Sequence, residues 1–411
     1  MKTHTPFFIW LLSILFILLF LLGSFVRAGQ AMTTEEEKKL GKKAIEEIGK
    51  QLDVVKDLSL QAFINRVGQS LVNQVGPTPF EFDFHLIKAP DPNAFAVPGG
   101  HVFVTTGLLN LVENEPELAG VLSHEISHIT GRHIARMIEK SKGLNIMALA
   151  AMIAGAIVGK GGPASGAAMS MGMATQESMM LKYTREIETE ADHNGLHLMT
   201  KAGYDPQAMV SFMKRMERYS LANAPKIPPY LLSHPALESR VALLENILTI
   251  EPKAIGPFQG AGNYKRIQMR AFIEESDPST AVNHFESVVK ASPDDFEALF
   301  ALGLAYQRAG RWDKSAEILQ TLSIAHPGET DLQRELGVVC FYAGRLDQAI
   351  QILEPLSQDR DLKSLYFLGR AYQEKGDVDR ALALFLKVRR EAGEYVDLYY
   401  NLGSVYGRMG E

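Results

Sequence analysis

Cysteine occurs once among the 411 residues, as Cys340, so no disulfide can form within the chain. None lies near the N-terminus, which excludes a lipid-anchored cysteine there. An excess of basic charge is also lacking. The 42 Lys and Arg stand against 48 Asp and Glu, giving a net charge of -6 and a pI near 6.0. The basic patch or stripe of a nucleic-acid binder is absent, so no nucleic-acid partner is expected. Low hydrophobicity is not a feature either: 46% hydrophobic and 22% charged residues make a globular chain, long enough for two or three domains.

Long apolar runs are scarce. Phe7 to Leu22, broken only by Ser13, is 16 residues. That is the upper edge of a signal h-region and short of the roughly 20 residues of a spanning helix. Lys2 precedes it, and Val26-Arg27-Ala28 and Gly29-Gln30-Ala31 follow with small residues that signal peptidase accepts. Residues 1–31 therefore read as a cleaved export signal, with an uncleaved anchor lengthened through Gly23 to Val26 as the alternative. Either places the remainder outside the cytoplasm, and the anchor would bring membrane association. A second run, Leu144 to Val158, is 15 residues and is broken by Gly159 to Pro163. Residues 143–173 are rich in Gly, Ala and Met, and read as a buried helical hairpin or as a mobile lid whose methionines touch unfolded substrate.

What is present is His124-Glu125-Ile126-Ser127-His128. On a helix, residues four apart share a face. Two neutral imidazoles on one face can hold zinc, and Glu125 between them can take a proton from water at the metal. Glu115-Pro116-Glu117 suits a helix first turn, and Leu118, Val121, Leu122, Ile126 and Ile129 recur at helical spacing. The motif is expected mid-helix. A hydrolytic zinc usually has a third protein ligand. His133, nine residues from His124, would lie about 180° round a continuing helix and is rejected. Carboxylates remain. In residues 185–192, Glu188 and Asp192 share one face and Glu186 and Glu190 another, and spacing does not choose between these pairs.

HEISH followed some 60 residues later by Glu188-Thr189-Glu190-Ala191-Asp192 resembles the zinc peptidase family that holds HtpX and the CAAX prenyl protease. The resemblance makes Glu188 the third ligand of one zinc ion per chain. It makes Asp192 the group that orients a ligand histidine. Asn93-Ala94-Phe95, before Val97-Pro98-Gly99-Gly100, resembles the family's Asn-Ala-Phe segment, and Ser233-His234-Pro235 its late His-Pro motif. It covers about residues 33–250. A substrate strand needs a strand edge, expected along Val102, Val104 and Thr105 after the double glycine. Asn93 could bond the substrate backbone there, or be a turn asparagine after Asp91-Pro92. His234 could stabilise the oxyanion, close the metal site as a fourth ligand, or be a loop residue before proline. Arg240 is a candidate electrophile. His193 and His197 read as surface or packing histidines.

Beyond residue 265, Leu302-Gly303, Leu336-Gly337, Leu368-Gly369 and Leu402-Gly403 recur at spacings of 34, 32 and 34. Gly310, Gly344, Gly376 and Gly410 keep phase, as do Ala316, Ala349 and Ala381 in the following helix. This resembles the tetratricopeptide repeat, with a weaker unit expected before it. The last repeat reaches only its turn glycine, which suggests either a chain that continues beyond Glu411 or an exposed groove there.

The fold expected is α+β and mostly α. A zincin-like HExxH metallopeptidase domain with a small sheet spans 32–255, followed by an α-solenoid of repeats over 266–411. With an export signal, this combination resembles the periplasmic BepA-like group of the family. That resemblance implies an endopeptidase acting on misfolded or stalled envelope proteins in outer-membrane protein assembly, with the assembly machinery as partner of the repeats. The alternatives are a repeat-based chaperone or scaffold with an autoinhibited site, and an anchored peptidase acting on membrane proteins.

Overall fold

The computed structural model describes residues 32–140, 174–250, 263–359, 361–392 and 396–410. The export segment and the Met-rich stretch lie outside these. No helix among the described residues is long and apolar enough to cross a membrane.

The first domain opens with α1 (Thr34–Gln51) and α2 (Leu58–Val72). Thr33 and Glu36 form a reciprocal capping box on α1, and the Asp57 carboxylate caps α2. A three-stranded sheet follows: β1 (Asp83–Ile87), β2 (Ala94–Val97) and β3 (His101–Thr105), in the order β1-β3-β2. β3 pairs parallel to β1 (Phe84 with Val102) and antiparallel to β2 (Phe95 with Phe103). The β2–β3 turn needs its double glycine. Gly99 and Gly100 have φ of 92° and 112°, and a Cβ on Gly100 would lie 1.7 Å from the Glu81 carbonyl oxygen.

After α3 (Thr106–Leu111) comes α4 (Glu115–Thr130), the helix of the histidine motif. Asn114 accepts from the Glu117 amide at its start. The two first-turn carboxylates are buried but paired. Glu115 takes a bidentate contact from Arg66 at 2.8 and 2.6 Å, and Glu117 accepts from Arg215. Leu118, Leu122 and Ile126 are fully buried, each contributing about 1.5–3 kcal/mol of apolar burial. The chain continues through α5 (His133–Lys140), α6 (Ala174–Lys201), α7 (Gln207–Ala222), the short α8 (Pro229–Ser233) and α9 (Leu237–Ile250). α6 crosses α4 closely because Gly195 has no side chain. A Cβ there would sit 3.1 Å from the His124 amide nitrogen.

The repeats are the helix pairs α10 (Tyr264–Glu275) with α11 (Pro278–Ala291), α12 (Phe296–Arg308) with α13 (Trp312–Ala325), α14 (Thr330–Tyr342) with α15 (Leu346–Leu356), and α16 (Leu362–Lys375) with α17 (Val378–Ala392), and then α18 (Val396–Met409). The expected weaker unit is the α10–α11 pair. The small-residue phase has a packing cause. A Cβ on Gly303, Gly337 or Gly369 would lie 2.6–2.8 Å from Leu319, Leu353 or Phe385 of the paired helix. The turn glycines 310, 344, 376 and 410 all have positive φ, from 70° to 83°.

The two halves share α10. Its Tyr264, Ile267 and Ala271 pack into the first core, and Ile273 into the repeat core. Tyr264 donates to the Leu109 carbonyl at 3.1 Å. Asp57, at the head of α2, meets Arg270 at 3.1 Å and Lys363 at 3.7 Å. Glu335, with no exposed surface, accepts from both cations at 2.8 and 2.9 Å.

Candidate metal centre

His124 and His128 project from one face of α4, as four-residue spacing requires, and their Nε2 atoms lie 2.9 Å apart. α6 brings Glu188 to them. Its carboxylate oxygens are 3.4 Å from His124 Nε2 and 3.5 Å from His128 Nε2. α8 ends at His234, whose Nδ1 lies 3.2 Å from His124 Nε2 and 3.1 Å from Glu188 Oε2. All four side chains are buried, and their ligand atoms fall within 4.8 Å of one another. Bonds of about 2.0–2.2 Å at a tetrahedral site place neighbouring ligand atoms about 3.3–3.6 Å apart. Five of the six edges measure 2.9–3.5 Å, at or just below that spacing.

The electrostatics favour positive charge at this point. Burial disfavours protonated His124, yet Asp192 and Glu188 raise its pKa to about 9. Burial and the neighbouring His124 push His128 well below its usual value. Burial alone would raise Glu188, but His234, His124 and Arg240 hold it well below the carboxylate range. Glu125 is fully buried, and neither of its oxygens makes a hydrogen bond among the described residues. Its Oε1 lies 3.3 Å from His234 Nε2. An acceptor-only carboxylate beside a nitrogen-and-oxygen cage suits a divalent metal and an O–H donor held against Glu125.

Of the two acidic pairs in residues 185–192, Glu188 and Asp192 face the histidines. Asp192 Oδ1 lies 2.9 Å from His124 Nδ1, the nitrogen turned away from the cage. Glu190 faces Arg136 instead.

Two expectations are corrected. Arg240 is not a free electrophile. It is 3% exposed and spends its donors on Asp192 (2.7 Å twice) and Glu188 (2.9 Å), so it holds the carboxylates that hold the histidines. The strand after Gly100 offers no edge, because β3 is the central strand, paired on both sides. The edge strand is β2, which begins with Ala94 and Phe95, and Asn93 immediately precedes it. Asn93 is 3% exposed, and its Oδ1 has no hydrogen-bond partner among the described residues. All four β2 residues are buried in this form, and α8 packs against the strand. Spacing alone also missed His133. α4 does not continue past Gly131: Arg132 has φ of 51°, and the chain folds His133 back against His128. His193 and His197 contact each other on α6, His193 exposed and His197 partly buried.

Residues 58–248 match Peptidase family M48, and residues 272–336 and 364–393 match the tetratricopeptide repeat. The chain is 28% identical over 306 residues to the "Beta-barrel assembly-enhancing protease" of Yersinia pestis, covering 73% of this chain and 62% of that protein. It is 31% identical over 186 residues to the "Mitochondrial metalloendopeptidase OMA1" of Schizosaccharomyces pombe, covering 45% and 52%. It is 33% identical over 179 residues to the "Metalloendopeptidase OMA1, mitochondrial" of Bos taurus, covering 42% and 34%. The chain thus spans about three fifths of the length of the first of these relatives.

Proposed function

We propose that this chain, which carries a peptidase family M48 domain followed by tetratricopeptide repeats, is an exported zinc endopeptidase that cleaves misfolded or stalled envelope proteins in the periplasm. The observation that carries the reading is the buried cage of His124, His128, Glu188 and His234 beside the carboxylate of Glu125, which makes no hydrogen bond among the described residues. One zinc ion per chain fits its three nitrogens and one carboxylate. When bound, zinc supplies Lewis acidity, lowering the pKa of water toward 7 and polarising a carbonyl.

The chain's own residues do the rest. Glu125 takes the proton of the attacking water and returns it to the leaving amine. Asp192 fixes His124 as the tautomer with a free Nε2, and Arg240 holds Asp192 and Glu188 in place. The substrate strand adds to the edge of β2, with Asn93 at its rim. The repeats bind the substrate or the outer-membrane assembly machinery. The name of the Yersinia pestis relative supports the assembly context.

A second reading is favoured by His234. With its Nδ1 at the fourth corner, the cage has no open position, as in non-catalytic zinc sites. This is a closed form. α8, which delivers His234, also touches β2, so its displacement would open the fourth position and remove one of the elements packed on the strand, beside α4 and α1. A closed peptidase could serve chiefly as a chaperone or scaffold. Casein hydrolysis by the full chain, with and without a chelator, tests the peptidase. No chelator-sensitive hydrolysis in wild type or in His234→Ala would end it. Full biological activity in Glu125→Gln would leave the scaffold.

A further inference from the structure

We propose that His133 is a positioning residue for the metal site: it accepts the Nδ1–H of His128 and locks that ligand's tautomer and ring plane. The inference rests on the metal reading above. His133 has no exposed surface, and its Nδ1 lies 3.0 Å from His128 Nδ1, with the rings edge to face at 86°. At that distance one nitrogen donates and the other accepts. His128 must offer an unprotonated Nε2 to the cage, so its proton sits on Nδ1 and His133 Nδ1 is the acceptor. The proton of His133 is then on Nε2, which makes no hydrogen bond among the described residues and lies 3.5 Å from the carboxylate oxygen Oε1 of Glu190. Arg136 holds Glu190 by contacts of 2.9 and 3.1 Å.

The local backbone is built to deliver this ring. Arg132 adopts a left-handed conformation that a residue with a side chain rarely takes, and it is anchored to the buried Glu37 at 2.8 Å. The ring then lies on Gly131, where a Cβ would sit 2.3 Å from His133 Nε2. The two ligand histidines thus have separate outer partners. His124 has a carboxylate, Asp192, and His128 has a neutral imidazole. The neutral choice has a physical reason. A divalent ion with Arg240 already balances Glu125, Glu188 and Asp192, and another carboxylate behind His128 would bury an uncompensated charge.

The test is zinc affinity of the full chain by chelator competition, read beside the thermal midpoint of the metal-free protein. His133→Phe keeps a ring on Gly131 but removes the acceptor, and is expected to weaken zinc binding about 10- to 100-fold. His133→Asn places an amide oxygen near the Nδ1 position and is expected to recover most of that affinity. Glu190→Ala, at a partly exposed site that does not endanger folding, is expected to weaken binding by a smaller factor. Wild-type affinity in His133→Phe, or equal losses in the Phe and Asn variants, would overturn the proposal. A wild-type chain that binds no zinc would overturn the metal assignment itself, a distinguishable result.

Discussion

His234→Ala discriminates the two roles that the cage allows for this residue, because they give opposite signs. In the closed form His234 meets Glu188 at 3.1 Å and lies over the fully buried Tyr230, ring centroids 4.6 Å apart. Removing the imidazole leaves Glu188 paired with Arg240 at 2.9 Å, while the buried Glu125 loses the contact of His234 Nε2 at 3.3 Å. The loss to the closed form is at least one hydrogen bond to a charged group, about 1.5–3 kcal/mol. A bias of that size raises the open fraction about 10- to 150-fold wherever the closed form dominates. Hydrolysis of casein should therefore rise by at least about tenfold, with metal content maintained by the three remaining ligands. If His234 were instead the donor to the oxyanion, the same substitution would cut kcat by about 10²- to 10³-fold. Initial rates on casein at matched metal content separate the two. A fall, or no change, would refute closure by His234.

Glu125→Gln removes the proposed base but none of the proposed ligands. Hydrolysis should drop about 10²- to 10⁴-fold with metal content unchanged, checked by elemental analysis beside the rate. Arg240→Met leaves Asp192 and Glu188 buried without their cation, and should cost about 3–5 kcal/mol in urea unfolding together with metal affinity. The α10 junction should make stability depend on acid. Against burial, which would raise them, Lys363 and Arg270 hold Asp57 far below its ordinary range, and Arg270 and Lys363 lower Glu335. Carboxyls depressed in the folded chain stabilise it above their unfolded values near pH 4, and that stability is lost as pH falls through the folded values. The urea midpoint should therefore decline below about pH 5, and the decline should be shallower in Glu335→Gln. An unchanged slope in that variant would count against the junction.

Much of the site was legible because its signals are local. Four-residue spacing puts His124 and His128 on one face whatever else the chain does, and the repeat phase reports small residues wherever two helices must touch. The choice of Glu188 over Glu186 came from resemblance, since both faces of that helix are acidic, and only the approach of α6 at Gly195 separates them. His133 was excluded on the assumption of an unbroken helix. The break lies at Arg132, a non-glycine residue with positive φ, which no pattern of residue types announces. The order β1-β3-β2 was equally hidden, because strand alternation says which face is buried and nothing of which strand is central. Arg240 looked catalytic by its distance from His234 in sequence, and its bidentate hold on Asp192 needs two helices placed in space.

The convergence of α4, α6 and α8 on one ion is tested most directly by metal content. The dialysed full chain, analysed for elements as wild type, Glu188→Gln and His234→Ala, should hold about one zinc per chain in the first and third and far less in the second. A metal-free wild type, or a Glu188→Gln variant as rich in zinc as the wild type, would contradict the assignment.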